Sequence, residues 1–448
     1  MKTILVLGAG LSASSLLRYL SERLVSEQWI LKIGNADIEP LKSTFGSNER
    51  IQLVKIDAGD ADQRRAVIAH VDLVISMLPA KFHPEVARDC IDLRTDLITP
   101  SYVSAAMKEL HEEALAKGVT ILNETGVDPG IDHMSAMKIM DEKREKGAML
   151  KAFKSFCGGL IAPESDDNSW HYKFTWNPRN VIVAGQGGVA AFRQNKELKY
   201  IPYSQLFKRT ERFEIDGYGS FDGYANRDSL KYIDIYNIDE VETIYRGTLR
   251  KPDFCQGWNV LIELGLTDDS YILDNSRLLS PRQLLNAFLP YHPVDSVEVK
   301  LKKFLRPERE HLLILFQEIG FFNGDELIFQ EDASPASLLQ CLLQRAWVLK
   351  PSDKDMLVML HEFEFEHVSG RTKITSSMVA LGEDNVYTAM SNTVGLPVGI
   401  AAKMILSGNL HEKGVTLPIN KEVYEPILNE LKSYGIEFTE SEKVINII

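Results

Sequence analysis

Thr3-Ile4-Leu5-Val6-Leu7-Gly8-Ala9-Gly10-Leu11-Ser12-Ala13-Ser14 is an apolar strand running into a Gly-x-Gly-x-x-Ala turn. Leu17, Leu20 and Leu24 follow at three- and four-residue spacing, which predicts a helix. Strand, glycine turn and helix in that order are the setting a dinucleotide fingerprint requires. Gly8 permits the tight turn, Gly10 lets the backbone approach a pyrophosphate, and Ala13 is small enough for the helix to pack on the strand. The N–H groups at the helix start then face the phosphates. Two plainer readings compete. A signal peptide is disfavoured because Gly8 and Gly10 interrupt the apolar run, and Arg18, Glu22 and Arg23 follow at once. A structural turn that binds nothing loses ground as the next units are read.

The chain has 448 residues, enough for two or three domains with a full core. Its formal net charge of −13 argues against nucleic acid or an anionic membrane surface as a partner. An anionic substrate remains compatible, because a local arginine cluster can sit inside an acidic shell. No apolar run approaches the length of a bilayer span, so no membrane partner is expected. Cys90, Cys157, Cys255 and Cys341 are scattered, with no C-x-x-C pair and no zinc spacing, so no metal is expected and a reducing cytoplasm fits.

Strands are expected at 29–34, 51–57, 71–78, 96–100 and 119–124, with helices at 61–69, 83–93 and 104–117 between them. That alternation predicts an α/β fold, a Rossmann-like doubly wound parallel sheet. Right-handed crossovers gather the strands' carboxyl ends on one rim: Gly8–Gly10, Leu78 and Pro79, Ser101, and 124–128. From about residue 151 the pattern changes. The segments 152–157, 181–183 and 232–236 look strand-like, as does a hairpin at 357–365 and 372–379. A leucine-rich helical insertion is expected at about 280–350. A helix over 385–406 must be started or kinked by Pro397. The expected division is a dinucleotide-binding domain at 1–130, completed by 380–448, and an α+β substrate and dimerisation domain at 131–379.

A coenzyme's ribose is read at the end of the second strand, by an acid for a 2′-hydroxyl or an arginine for a 2′-phosphate. Here Asn35 can bond a hydroxyl without repelling a phosphate, so this segment does not separate NADP from NAD. Ser101 and Tyr102 offer hydroxyls on the rim; a helix cap and a packing tyrosine are their plain alternatives. In 123–133, two glycines, a proline and three acids crowd the end of a buried strand. Asp132 suits a helix cap, and His133 a cap or the core. Asp128 faces the sheet edge, where it is either a structural turn residue or a proton-transfer group. Arg227 and Arg250 stand beside turn residues, where they make surface salt bridges or clamp substrate carboxylates bidentately.

Together these pieces resemble the saccharopine reductase family, the glutamate-forming saccharopine dehydrogenases. The motifs that carry the resemblance are 122–133, Ser155-Phe156-Cys157-Gly158-Gly159, Thr175-Trp176-Asn177-Pro178-Arg179, Asn226-Arg227-Asp228-Ser229, Gly247-Thr248-Leu249-Arg250 and 393–402. They run nearly the whole chain. The resemblance implies that Ala9, Gly10, Leu11, Ser12, Ala13, Val127, Asp128 and Trp176 lie around the coenzyme, NADP with NAD as the alternative. It places Ser101, Tyr102, Arg227, Thr248, Leu249 and Arg250 on the substrate, with the arginines on its carboxylates. It also implies a homodimer and a final helix that returns to the nucleotide domain. Asn35 and Ala36 stand where relatives often carry an acid and an arginine, and 251–257 is longer than in fungal forms.

The expected function is oxidoreduction at a CH–NH bond of an amino-acid conjugate with several carboxylates, saccharopine first. A carboxynorspermidine-type dehydrogenase is one rival; its polyamine substrate would favour acids over arginines. A non-catalytic NAD(P)-binding sensor is another, which would lose Asp128 and the arginines while keeping Gly8 and Gly10.

Overall fold

A computed structural model describes residues 1–368 and 370–445. The chain divides into two units. The first comprises Met1–Met149, Glu366–Gly370 and Met378–Ser441; the second comprises Leu150–Phe365, Arg371–Ser377 and Glu442–Ile448.

The first unit holds a parallel sheet. In chain order its strands are β1 (Lys2–Leu7), β2 (Trp29–Asn35), β3 (Ile51–Lys55), β4 (Leu73–Ser76), β5 (Asp96–Ile98) and β6 (Thr120–Leu122), followed by Gly414–Thr416. Across the sheet the order is Gly414–Thr416, β6, β5, β4, β1, β2, β3. The reversal between β1 and β4 is the switch point of a doubly wound fold, where a crevice opens at the carboxyl ends. Ile4, Leu5, Val6 and Leu7 of β1, and Leu73, Val74 and Ile75 of β4, have no exposure to solvent, as strands covered on both faces must. Some of its helices open on a side-chain cap. Asp60 accepts from the N–H groups of Asp62 and Gln63 to open Ala61–Ile68.

The C-terminal segment completes this unit. Helix Ala389–Leu406 packs on Ser14–Arg23, and the close approach requires Gly395: a methyl there would lie 2.7 Å from the Leu16 backbone nitrogen. Thr388, not Pro397, starts this helix, by accepting from Ser391 N–H, and the helix continues through the proline. Contrary to the sequence expectation, it is long and apolar enough to span a bilayer by length and composition. It is the core helix of this unit, with 72% of its span buried. The boundary at 130/131 moves to 149/150, because helix Ile131–Glu145 packs against Lys421–Leu431. Tyr424 donates to Asp141 across that contact at 2.9 Å.

The second unit is built on a mixed sheet. Its strands begin with β7 (Met149–Ile161), β8 (Val189–Gln194), β9 (Glu197–Pro202) and β10 (Thr210–Ile215). They continue with β11 (Gly219–Ala225), β12 (Thr243–Arg250), β13 (Asp355–His367) and β14 (Gly370–Leu381). Among the described residues the order is β10, β11, β12, β7, β13, β14 and then Thr439–Ile445, with β8 and β9 branching from β12. The helical insertion contains Pro281–Phe288, Val297–Leu305, Leu313–Glu318 and Pro335–Ala346. Two expected strands are helices. Pro178 at the first turn begins Pro178–Ile182, and Lys231–Tyr236 brings the Tyr232 and Tyr236 rings to 5.5 Å at helical i, i+4 spacing.

Candidate functional site

In the first unit, Gly8 has φ +94°, and a methyl on it would stand 3.1 Å from the Met77 carbonyl. A side chain there is excluded by both conformation and space. Gly10 differs: a methyl on it would meet nothing within 4 Å. The chain itself gives no reason for a bare backbone at Gly10, which leaves it open to a ligand. Ala9 N–H donates to Asn35 Oδ1 at 3.1 Å, so the residue ending β2 holds the turn. Asn35 Nδ2 donates in turn to the Asp37 carbonyl at 2.7 Å. Leu11 is exposed and Ser12 half-buried, while Ala13 is buried under the helix start. Leu78 is half-buried and Pro79 exposed, just past β4. These residues fit a dinucleotide.

The other strand ends hold a hydroxyl and carboxyl cluster. Tyr102 donates to Asp128 Oδ1 at 2.7 Å, and both residues are half-buried. Val127 is buried beside them. Glu124, itself buried, ties the two turns together: its Oε1 accepts from Val103 N–H at 2.9 Å, and its Oε2 lies 2.7 Å from His133 Nε2. Asp132 Oδ1 accepts from Gly130 N–H at 2.6 Å, at the start of helix Ile131–Glu145. Ser101 Oγ lies 2.8 Å from His83 Nε2, whose Nδ1 lies 3.0 Å from Ser76 Oγ. Burial depresses the His83 pKa to about 4, so the ring is neutral at pH 7.

Sequence reasoning placed Glu124 on the rim without a role and missed His83 as a site member. His83 meets Ser101 and Glu124 meets Val103 only because the parallel strand ends converge. A polar residue at the first turn of the helix after β4 is the signal that would have found His83.

In the second unit, Arg250 ends β12 with 5% exposure. Its Nη1 donates to the Leu249 carbonyl at 2.8 Å, and its Nε has no hydrogen-bond partner. The guanidinium lies 5.0 Å from the Tyr172 ring centre and 5.3 Å from that of Phe254. Among the described residues no carboxylate pairs with it. A buried cation without an anion is costly, and its natural complement is an anionic ligand. Tyr224, directly across from Thr248 in the β11–β12 pairing, is buried nearby; desolvation raises its pKa to about 12 and keeps it protonated. The buried Tyr172 hydroxyl, also raised in pKa by desolvation, lies by Trp176, itself half-buried.

Alternation along β12 separates the expected substrate residues. Thr248 and Arg250 share one face, whereas Leu249 points to the other and has no exposure, so its side chain is not with theirs. Arg227 is exposed, with φ +23°, and no carboxylate pairs with it among the described residues. The surface salt bridge considered for it is therefore not formed.

Comparison with known proteins agrees with both units. Residues 4–122 match the family model of the saccharopine dehydrogenase NADP binding domain, and residues 126–436 that of the saccharopine dehydrogenase C-terminal domain. The Saccharomyces cerevisiae saccharopine dehydrogenase [NADP(+), L-glutamate-forming] is 32% identical over 447 residues, which cover 98% of this chain and 99% of that one. The mitochondrial alpha-aminoadipic semialdehyde synthase of Rattus norvegicus is 34% identical over 98% of this chain. This chain spans only 47% of that relative, about half its length. The apo structure of the yeast L-Glu-forming saccharopine dehydrogenase superposes with a TM-score of 0.89 at 30% identity, covering 99% of this chain and 100% of that one. An NADP-binding Rossmann unit joined to this second sheet unit therefore makes the chain a member of the saccharopine dehydrogenase family.

Proposed function

We propose that this chain is an NADP-dependent saccharopine dehydrogenase of the glutamate-forming kind, an oxidoreductase of lysine metabolism acting on a CH–NH bond. The amine of glutamate condenses with aminoadipate semialdehyde and water leaves. The resulting imine carbon then takes a hydride and its nitrogen a proton, giving saccharopine. In the other direction hydride leaves the carbon and water cleaves the imine. NADPH, when bound, supplies the hydride. The chain's tasks are to hold the substrate, exclude water and move protons.

Arg250 carries this reading. A buried guanidinium with an unfilled N–H suits a carboxylate, and repels the cationic chain of a polyamine such as carboxynorspermidine. Thr248 on the same strand face and the exposed Arg227, which no carboxylate pairs among the described residues, are proposed to serve further carboxylates. Ser101 and Tyr102 are proposed as substrate contacts and Asp128 as the proton-transfer group. The residues proposed around NADP are Gly8 to Ala13, Asn35, Leu78, Pro79, Val127, Asp128 and Trp176. Asn35 presents an uncharged amide at the ribose position, which tolerates the 2′-phosphate. A cytoplasmic homodimer assembled through the second unit is part of the proposal.

A coenzyme-oxidation assay tests it. Glutamate with aminoadipate semialdehyde is compared against aspartate semialdehyde with diamines, using NADPH and NADH in parallel. Turnover of the first pair with NADPH is expected; its absence with either coenzyme sinks the reading.

A further inference from the structure

Ser76, His83 and Ser101 form a short relay at the ends of β4 and β5. His83 is 2% exposed and sits in the first turn of helix His83–Leu93, where the helix dipole also disfavours an imidazolium. A neutral imidazole has one donor and one acceptor nitrogen. Ser76 Oγ, with no exposure to solvent, meets Nδ1 at 3.0 Å. Among the described residues Nδ1 has this single hydroxyl neighbour, which can donate or accept, so the tautomer is decided at Nε2.

The crowding at Nε2 places the ring proton there. Two hydroxyl oxygens crowd Nε2, Ser101 Oγ at 2.8 Å and Thr99 Oγ1 at 3.2 Å. A single lone pair would serve only one of two donors pressed so close, whereas one N–H is readily shared between two oxygens. Thr99 Oγ1 is already an acceptor, from Ser101 N–H at 3.3 Å.

From this geometry we infer that His83 is a positioning residue: it donates through Nε2 to Ser101, fixing the Ser101 hydroxyl as a donor aimed at an anionic group of the substrate. The inference rests on the proposed reading of Ser101 as a substrate contact. Ser76 ends the relay in the buried interior, so the relay orients a hydroxyl and gives a proton no exit to solvent.

Nitrogen-15 NMR of the intact protein labelled in histidine tests the tautomer at pH 7, with the His83 signal assigned by its loss in His83→Gln. A proton coupled to Nε2 is expected; a proton on Nδ1 overturns the inference. In steady-state kinetics, His83→Asn and Ser101→Ala each raise KM for saccharopine about tenfold, with kcat within about threefold and NADP Kd unchanged. The double variant is no worse than either single one. His83→Gln, which returns an amide N–H to the Nε2 position, restores KM to within about threefold of the parent. An unchanged KM in His83→Asn, or additive losses in the double variant, overturns the inference while leaving the saccharopine reading intact. A parent chain that does not turn over saccharopine overturns that reading instead, and the tautomer measurement still decides the role of His83.

Discussion

Tyr102 donates to Asp128 Oδ1 at 2.7 Å, a side-chain hydrogen bond that joins the turns after β5 and β6 at the sheet's rim. Tyr102→Phe keeps the ring and removes the donor. It is expected to lower kcat/KM for saccharopine about 10–100-fold, since hydrogen bonds to a charged partner are worth more than neutral ones. Coenzyme affinity, read by NADPH fluorescence titration, stays unchanged. A kcat/KM equal to the parent would return this pair to a packing role.

Arg250→Met should separate stability from function. Removing a buried cation that has no anionic partner among the described residues is expected to stabilise the ligand-free protein by roughly 1–3 kcal/mol. The same change is expected to weaken saccharopine binding about a hundredfold. Thermal denaturation and calorimetric titration on one preparation measure both. A lower Tm would show that the guanidinium serves the fold rather than a ligand.

The two glycines of the turn predict opposite outcomes. Gly8→Ala forces a methyl against Met77 at a positive φ, and is expected to cost more than about 1 kcal/mol of stability. Gly10→Ala has open space around it and should leave Tm unchanged while raising the NADPH Kd at least about tenfold. Full NADPH affinity in Gly10→Ala would remove this backbone from the coenzyme site.

His83 also sets a pH dependence. Its pKa falls from 6.5 in the unfolded chain to about 4 when buried. Between those values the unfolded chain holds a proton that the folded chain does not, so acidification favours unfolding. This group's contribution is intact above pH 6.5 and is lost as pH falls toward 4, by about 3 kcal/mol. Urea denaturation across this range should show a steeper acid loss in the parent than in His83→Gln. Parallel profiles would refute the assignment.

The sheet and its rim were legible because local patterns carried them: a glycine turn placed by its strand, and apolar runs alternating with helical spacing. The errors share a physical cause. Tyr232-Ile233-Asp234-Ile235-Tyr236 is rich in β-formers, yet tyrosines four apart also meet on one helix face, and the tertiary setting chose the helix. Arg250 was readable as an arginine after a strand, but its isolation from the carboxylates of the described residues was not. That isolation depends on which rings fold around it.

The nucleotide unit is closed by Gly414–Thr416 at one sheet edge and by Ala389–Leu406 against its first helix. A ribosome makes all of Leu150–Phe365 before either element exists. Until then the face of Ser14–Arg23 that Gly395 later meets is bare, and β6 has an unpaired edge. The first half of the chain thus emerges without its closing pieces. Completion of this unit therefore waits on segments made after the whole second unit, a long-range closure that is slow relative to local helix and strand formation.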